Sequence, residues 1–139
     1  MLGRGFLKPL SEASVTDVRP CNSFNPYEVN VLKDYLTDKG QTVQQMWEFC
    51  VEKLVAGEYS YAPPGRPPVT ADTVMCTHCV IGVVSHLALQ YRREEVDSED
   101  LPAIVRDRPN CWYGTSCRTQ MHNPTHCRTR NHICAQTRF

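Results

Sequence analysis

Between Cys111 and Cys134 four cysteines and three histidines stand in one arginine-rich stretch, C-W-Y-G-T-S-C-R-T-Q-M-H-N-P-T-H-C-R-T-R-N-H-I-C. Five residues separate Cys111 from Cys117, five separate His126 from His132, and eight lie between the pairs. Two thiolates followed by two imidazoles match the four donors of a tetrahedral zinc ion, and each short spacing lets a pair bite from one turn. The stretch holds too few large apolar residues to fold by packing alone, so metal must supply the missing folding free energy. Two disulfides beside solvated histidines are the competing reading. The histidine pair and the expected intracellular setting favour zinc.

That setting follows from the rest of the chain. The N-terminus lacks the apolar run of a signal peptide, and no stretch reaches the ~18 apolar residues of a membrane span. Eight cysteines then point to metal rather than to disulfides. Formal net charge is zero but unevenly spread. From Arg106 to Phe139 six arginines face one acid, a net +5. An all-arginine set suits bidentate contacts to phosphate, and the basic end should attract polyanions.

Upstream the pattern is helical. Asn25 is a good N-cap, Pro26 fits the first helical position, and Glu28 would close a capping box. Val29, Leu32 and Leu36 share one face, and Gly40 stops the helix. Thr42 and Gln45 form a second capping box, followed by Val43, Met46, Trp47, Cys50 and Leu54 at helical spacing and a stop at Gly57. The pair makes an αα-hairpin, with Trp47 and Met46 in the core and Cys50 a buried thiol. Glu58 to Thr70 reads as a proline-rich connector. A third helix runs to about Arg93 with Val80, Val84, Leu87 and Tyr91 on its apolar face. Residues 1–20 show no sustained period and read as an arm that drapes on the body or is disordered. Leu101 to Val105 reads as a short apolar segment between finger and body.

The third helix opens on Cys76-Thr77-His78-Cys79. A CxxC at a helix start is a redox pair or half of a zinc site. No βαβ pattern surrounds it, which favours zinc. Cys21 and Cys134 are the leading candidates for the remaining ligands, with Cys127 or His78 as competitors for the fourth; ligands outside this chain are a further option.

Function has to come from the surface of the finger. The eight residues between its pairs leave no room for a helix that reads a duplex groove, where about twelve are usual, so sequence-specific duplex DNA is not expected. The stretch offers Trp112 and Tyr113, a turn at Gly114, and Arg118 after the second cysteine. Aromatic faces stack on bases and arginine grips phosphate, which suits an exposed nucleotide. The plainer alternative has both rings roofing the metal.

Arg108-Pro109-Asn110-Cys111, Gly114, Cys117-Arg118-Thr119-Gln120 and Asn131-His132-Ile133-Cys134-Ala135-Gln136-Thr137-Arg138-Phe139 closely resemble the C-terminus of the checkpoint ubiquitin ligases that carry forkhead-associated and RING domains. Tyr27-Glu28, Leu32-Lys33-Asp34-Tyr35-Leu36, the Cys76/Cys79 pair, Gln90-Tyr91-Arg92 and Leu101-Pro102 are similar to the same cysteine-rich region. The resemblance implies a zinc finger that binds poly(ADP-ribose), with Cys111, Cys117, His126 and His132 as ligands and Trp112, Tyr113, Arg118 and Gln120 as the ligand-binding set. Two departures stand out. The gap before His126 is one residue longer than the family's, which leaves His122 as a competing ligand, and Arg130 replaces an aromatic. The resemblance further implies poly(ADP-ribosyl)ated partners, ubiquitin machinery reached through other chains, and a nuclear setting.

The chain is thus expected to be a mainly α, small zinc-stabilised domain. An arm (1–20) would precede a helical cysteine-rich body (21–105) and an irregular C-terminal finger of C2H2 type (106–139). One zinc is expected in the finger and a second is an option at Cys76/Cys79. No RING pattern is present, so catalysis by the chain itself is not expected. A ligase fragment contributing to transfer, or a finger for single-stranded nucleic acid, are the alternatives.

Overall fold

The computed structural model describes residues 8–21, 24–117, 120 and 123–134. Helix α1 (Pro26–Asp38) opens at Asn25, whose side chain accepts from the Glu28 N–H. It closes on a Schellman turn: Gln41 N–H reaches the Leu36 carbonyl at 2.8 Å and Gly40 sits at φ 70°. Helix α2 (Val43–Val55) opens on a complete capping box between Thr42 and Gln45 and closes in the same way at Gly57, φ 79°. Helix α3 (Thr77–Glu94) packs against α2. The predicted apolar stripes meet between them. Leu32, Leu36, Met46, Trp47, Cys50, Leu87 and Ala88 are all essentially inaccessible to solvent. Burial pushes the Cys50 thiol up to about 12, and its S–H points at the Leu87 carbonyl. It is the inert core thiol its place on the stripe predicts.

One expectation about α1 is corrected. Glu28 does not reach back to close a capping box; its carboxylate turns inward and is fully buried. Two arginines and a distant backbone N–H, described below, outbid the local one.

Of the segment expected as an arm, the described residues 8–20 pack on the body. Lys8–Pro9 (β1) pairs antiparallel with Val74–Met75 (β2), Lys8 facing Met75. Leu10, Val15 and Val18 enter the core. Val15 N–H donates to Gln44 on α2, and Ser85 on α3 donates to the Arg19 carbonyl. Extended chain of this kind has no helical period to read, and two-residue strands carry no alternation.

The proline-rich connector also lies against the body. Tyr59 is buried and donates to Glu95 at 2.9 Å, while Tyr61 stacks on His86 with ring centroids 4.2 Å apart. Beyond α3, Leu101 is buried ahead of a single helical turn, α4 (Ala103–Arg106). Ile104 on that turn is 83% exposed, so only part of the apolar segment packs. The last helix, α5 (Pro124–Thr129), is six residues long, too short to serve as a groove-reading helix. Among the described residues no helix is long and apolar enough to cross a membrane.

Candidate metal centre

The finger is closed by backbone. Asn110 and Asn131 form an isolated parallel bridge, with Cys111 N–H on the Asn131 carbonyl and Asn131 N–H on that of Pro109, each at 2.8 Å. A tight turn over Gly114–Ser116, with Gly114 at φ 55°, returns the chain to Cys117. Asn123 caps α5 by accepting from the His126 N–H at 3.0 Å. That cap fixes the first turn of the helix on which His126 stands.

These constraints converge four donors. Ligand atoms of Cys111, Cys117, His126 and His132 all lie within 4.8 Å of one another. His126 Nε2 is 3.5 Å from Cys111 Sγ, 3.4 Å from Cys117 Sγ and 3.2 Å from His132 Nε2. A zinc tetrahedron with ordinary bond lengths has N···N edges of about 3.3 Å and S···N edges of about 3.5 Å. The three separations from His126 already match those edges. Their chemistry agrees. Burial pushes the Cys111 thiol up, and burial followed by the neighbouring His126 pushes the His132 imidazole down. A site that resists both thiolate and imidazolium is one where a bound dication supplies the missing charge and receives neutral imidazoles. His122, the competing ligand, lies outside the described residues.

The centre is anchored from the opposite end of the chain. Glu28 Oε2 accepts from the His132 backbone N–H at 3.2 Å and from Arg108 at 3.1 Å, and Arg92 lies 3.6 Å from the other oxygen. Glu28 and His132 are both 0% exposed. One buried carboxylate thus sits between two arginines and a ligand's own backbone. Asn25 completes the joint: its side-chain N–H donates to Gln120 Oε1 at 2.9 Å. Gln120 is itself fully buried and donates to the Cys117 carbonyl. Its expected place in the ligand-binding set is therefore corrected; both ends of its amide are engaged inside the protein.

The other expected ligand-binding residues are distributed differently. Trp112 is 56% exposed and Tyr113 43%, and both line an open cleft of about 180 Å³ with Asn110, Cys111, His126 and Arg130. Neither ring roofs the metal fully. Arg118 lies outside the described residues.

Cys76 and Cys79 stand together at the start of α3, their sulfurs 3.5 Å apart. The described residues bring no third Cys, His, Asp or Glu to them. Cys134 is directed elsewhere, against the Cys111 and Asn131 carbonyls, and Cys21 pairs through its backbone with Phe24. Among the described residues neither is grouped with the pair as a donor. Sequence spacing missed Glu28, Arg92 and Arg108. The only signal was an acid on the inner side of an otherwise apolar helix face.

A helical body that carries a Cys2His2 donor set defines a small zinc-stabilised, cysteine-rich domain. The chain belongs to the family described as a cysteine rich domain with multizinc binding regions, which matches residues 2–94. It is similar to the E3 ubiquitin-protein ligase CHFR of Homo sapiens, 39% identical over 115 residues, 83% of this chain and 17% of the relative. The Danio rerio relative is 34% identical over 137 residues, 97% of this chain and 21% of the relative, and that of Xenopus laevis is 36% identical over 115 residues, 83% and 18%. The chain therefore spans about a fifth of the length of the curated relatives it matches. The four-donor centre lies beyond the residues matched by the family, which hold Cys21, Cys50, Cys76 and Cys79.

Proposed function

We propose that this chain is a zinc-stabilised binding module for poly(ADP-ribose), related to the part of a checkpoint ubiquitin ligase that does not itself transfer ubiquitin. The observation that carries the reading is the pair of exposed rings, Trp112 and Tyr113, on the open cleft beside the metal centre. Large aromatics at half exposure leave apolar surface that a planar ligand can cover. Adenine offers such a face, and the polymer's phosphates suit the arginines of this end of the chain, including Arg118, Arg128 and Arg130. The α5 helix is too short for a duplex groove, which favours a splayed, single-stranded ligand.

The partners on this reading are poly(ADP-ribosyl)ated proteins in the nucleus, with ubiquitin machinery supplied by other chains. Titration of the zinc-loaded protein with poly(ADP-ribose) tests it. Affinity should fall with salt, as phosphate binding requires, while stacking leaves a salt-resistant remainder. Single-stranded RNA added as competitor should displace the polymer poorly. Absence of binding at low salt with zinc in place overturns the proposal; efficient displacement by RNA converts it to a general single-strand finger.

A further inference from the structure

We infer that the groove between α1 and the turn of α4 docks an extended basic segment of a partner protein, one with an apolar residue followed by two arginines at alternate positions. The groove has a volume of about 430 Å³ and shares no residue with the cleft at Trp112 and Tyr113. Its floor is apolar, with Val31 and Tyr35 from α1 facing Leu101 and Val105. Val31, Tyr35 and Val105 are only partly buried, so they keep surface that the core does not cover. Ile104, next to Val105 on α4, projects into solvent.

Charge selects the occupant. Asp34 and Asp38 line the groove one helical turn apart, and both are exposed. Among the described residues neither has an ion pair or a side-chain hydrogen bond. The lysines adjacent in sequence are engaged elsewhere, Lys33 with Asp17 at 2.6 Å and Lys39 with Asp100 at 3.4 Å. Like charges at i and i+4 repel, and Asp38 lies in the last turn of α1, where the helix dipole favours cations. Among the described residues nothing offsets that arrangement, whereas cations from a partner would. Tyr35 already carries one cation over its ring, Lys39 at 5.7 Å from the centroid.

The spacing of the occupant follows from the helix. Val31, Asp34 and Asp38 succeed one another on one face of α1, with rises of about 4.5 Å and about 6 Å. In an extended chain alternate residues share a face about 6.6 Å apart. An apolar side chain over Val31 therefore brings the second and fourth residues after it to Asp34 and Asp38. Arginine suits both places, because its planar fork matches a carboxylate and its aliphatic stem can lie along the apolar floor.

The full, zinc-loaded chain, labelled with nitrogen-15, is titrated with the synthetic peptide Gly-Leu-Ser-Arg-Ser-Arg-Gly. Amide resonances of Asp34, Tyr35, Asp38 and Val105 should shift and saturate. Peptides with glutamine in place of both arginines, or serine in place of leucine, should bind more weakly, and added salt should weaken the parent peptide. Asp34→Asn with Asp38→Asn should lower affinity about 10-fold, since two exposed ion pairs are lost. The same variant should melt no lower than the wild type, because it relieves a repulsion. Several results overturn the proposal. They are absence of saturable shifts, shifts centred instead on the acids Glu48, Glu52 and Glu95, and equal binding of the serine peptide. Unchanged affinity in the double variant does so too, and so does a lower melting temperature, which would make the two acids structural. Shifts at the groove on concentrating the chain without peptide would assign it to a second copy instead.

Discussion

Glu28 accepts a hydrogen bond from the backbone of His132, 104 residues further along the chain, at 3.2 Å and with neither residue exposed. The carboxylate opens the first helix and the histidine is a donor of the metal centre. Arg92 and Arg108 close around the same acid. The joint between body and finger is therefore ionic and dry, where a missing partner costs far more than at the surface.

Glu28→Gln preserves shape and removes the charge. It leaves Arg92 buried without a counter-charge, and the expected loss of stability is about 3–5 kcal/mol. Zinc affinity should fall by about 10-fold, because the His132 N–H exchanges a charged acceptor for a weaker neutral amide oxygen. The control is Asp17→Asn, which breaks an exposed pair with Lys33 and should cost less than about 1 kcal/mol. Urea unfolding and competition with a chromophoric chelator measure the two effects. Equal stability of the two variants would show that the buried acid is no anchor.

Cys117→Ser, or chelation of zinc, removes a donor of the centre but none of the apolar stripes of α1, α2 and α3. Circular dichroism should keep most of its helical signal, with a lower midpoint because Glu28 loses its partner in the finger. Complete loss of helicity would mean that body and finger unfold as one unit.

Tyr113→Ala and Arg118→Ala should separate binding from metal. Neither residue is a donor, so zinc content should be unchanged. Loss of a stacking face costs about 1–3 kcal/mol and loss of a charged hydrogen bond about 1.5–3 kcal/mol. Each variant should bind poly(ADP-ribose) one to two orders of magnitude more weakly by those estimates. Full affinity in both would move the ligand surface elsewhere.

His86 gives stability a pH dependence. Burial against Tyr61 holds its imidazole below the ordinary value, so the unfolded chain takes up the proton first as pH falls. The stabilisation is complete above the unfolded value of about 6.5 and drains away as pH drops through it toward the folded one. His86→Phe keeps a stacked ring without the proton. Between about pH 7.5 and about pH 5 the wild type should lose more stability than this variant. Parallel curves would exclude His86 as the source.

Trp47→Ala and Ile104→Ser contrast core with surface. Trp47 is sealed inside the body and its truncation should cost about 3–5 kcal/mol. Ile104 projects into solvent and its change should fall within about 0.5 kcal/mol. A large loss at Ile104 would show that α4 packs more tightly than its exposure indicates.

Periodicity and capping made the three long helices readable, because Asn25, Thr42, Gly40 and Gly57 act locally and their partners lie within a few residues. The donor set was readable for a similar reason: the two donors of each pair lie only a few residues apart. What stayed hidden was long-range. Glu28 looked like a capping acid until two arginines from distant segments were placed beside it. Gln120 looked like a surface contact because nothing local announces that Asn25 meets it. The threading of Leu10, Val15 and Val18 through the core left no period to read.

The Glu28–His132 and Asn25–Gln120 contacts also set an order of events during synthesis. The first helix emerges from the ribosome long before residues 120 and 132 exist, so its acid waits in water until those residues have been made. Contacts of this sequence separation form late and slowly, since the entropy of closing so long a loop comes first. Until then the Glu28 carboxylate stands in water, and the buried joint it makes with His132, Arg92 and Arg108 is among the last parts of the fold to form.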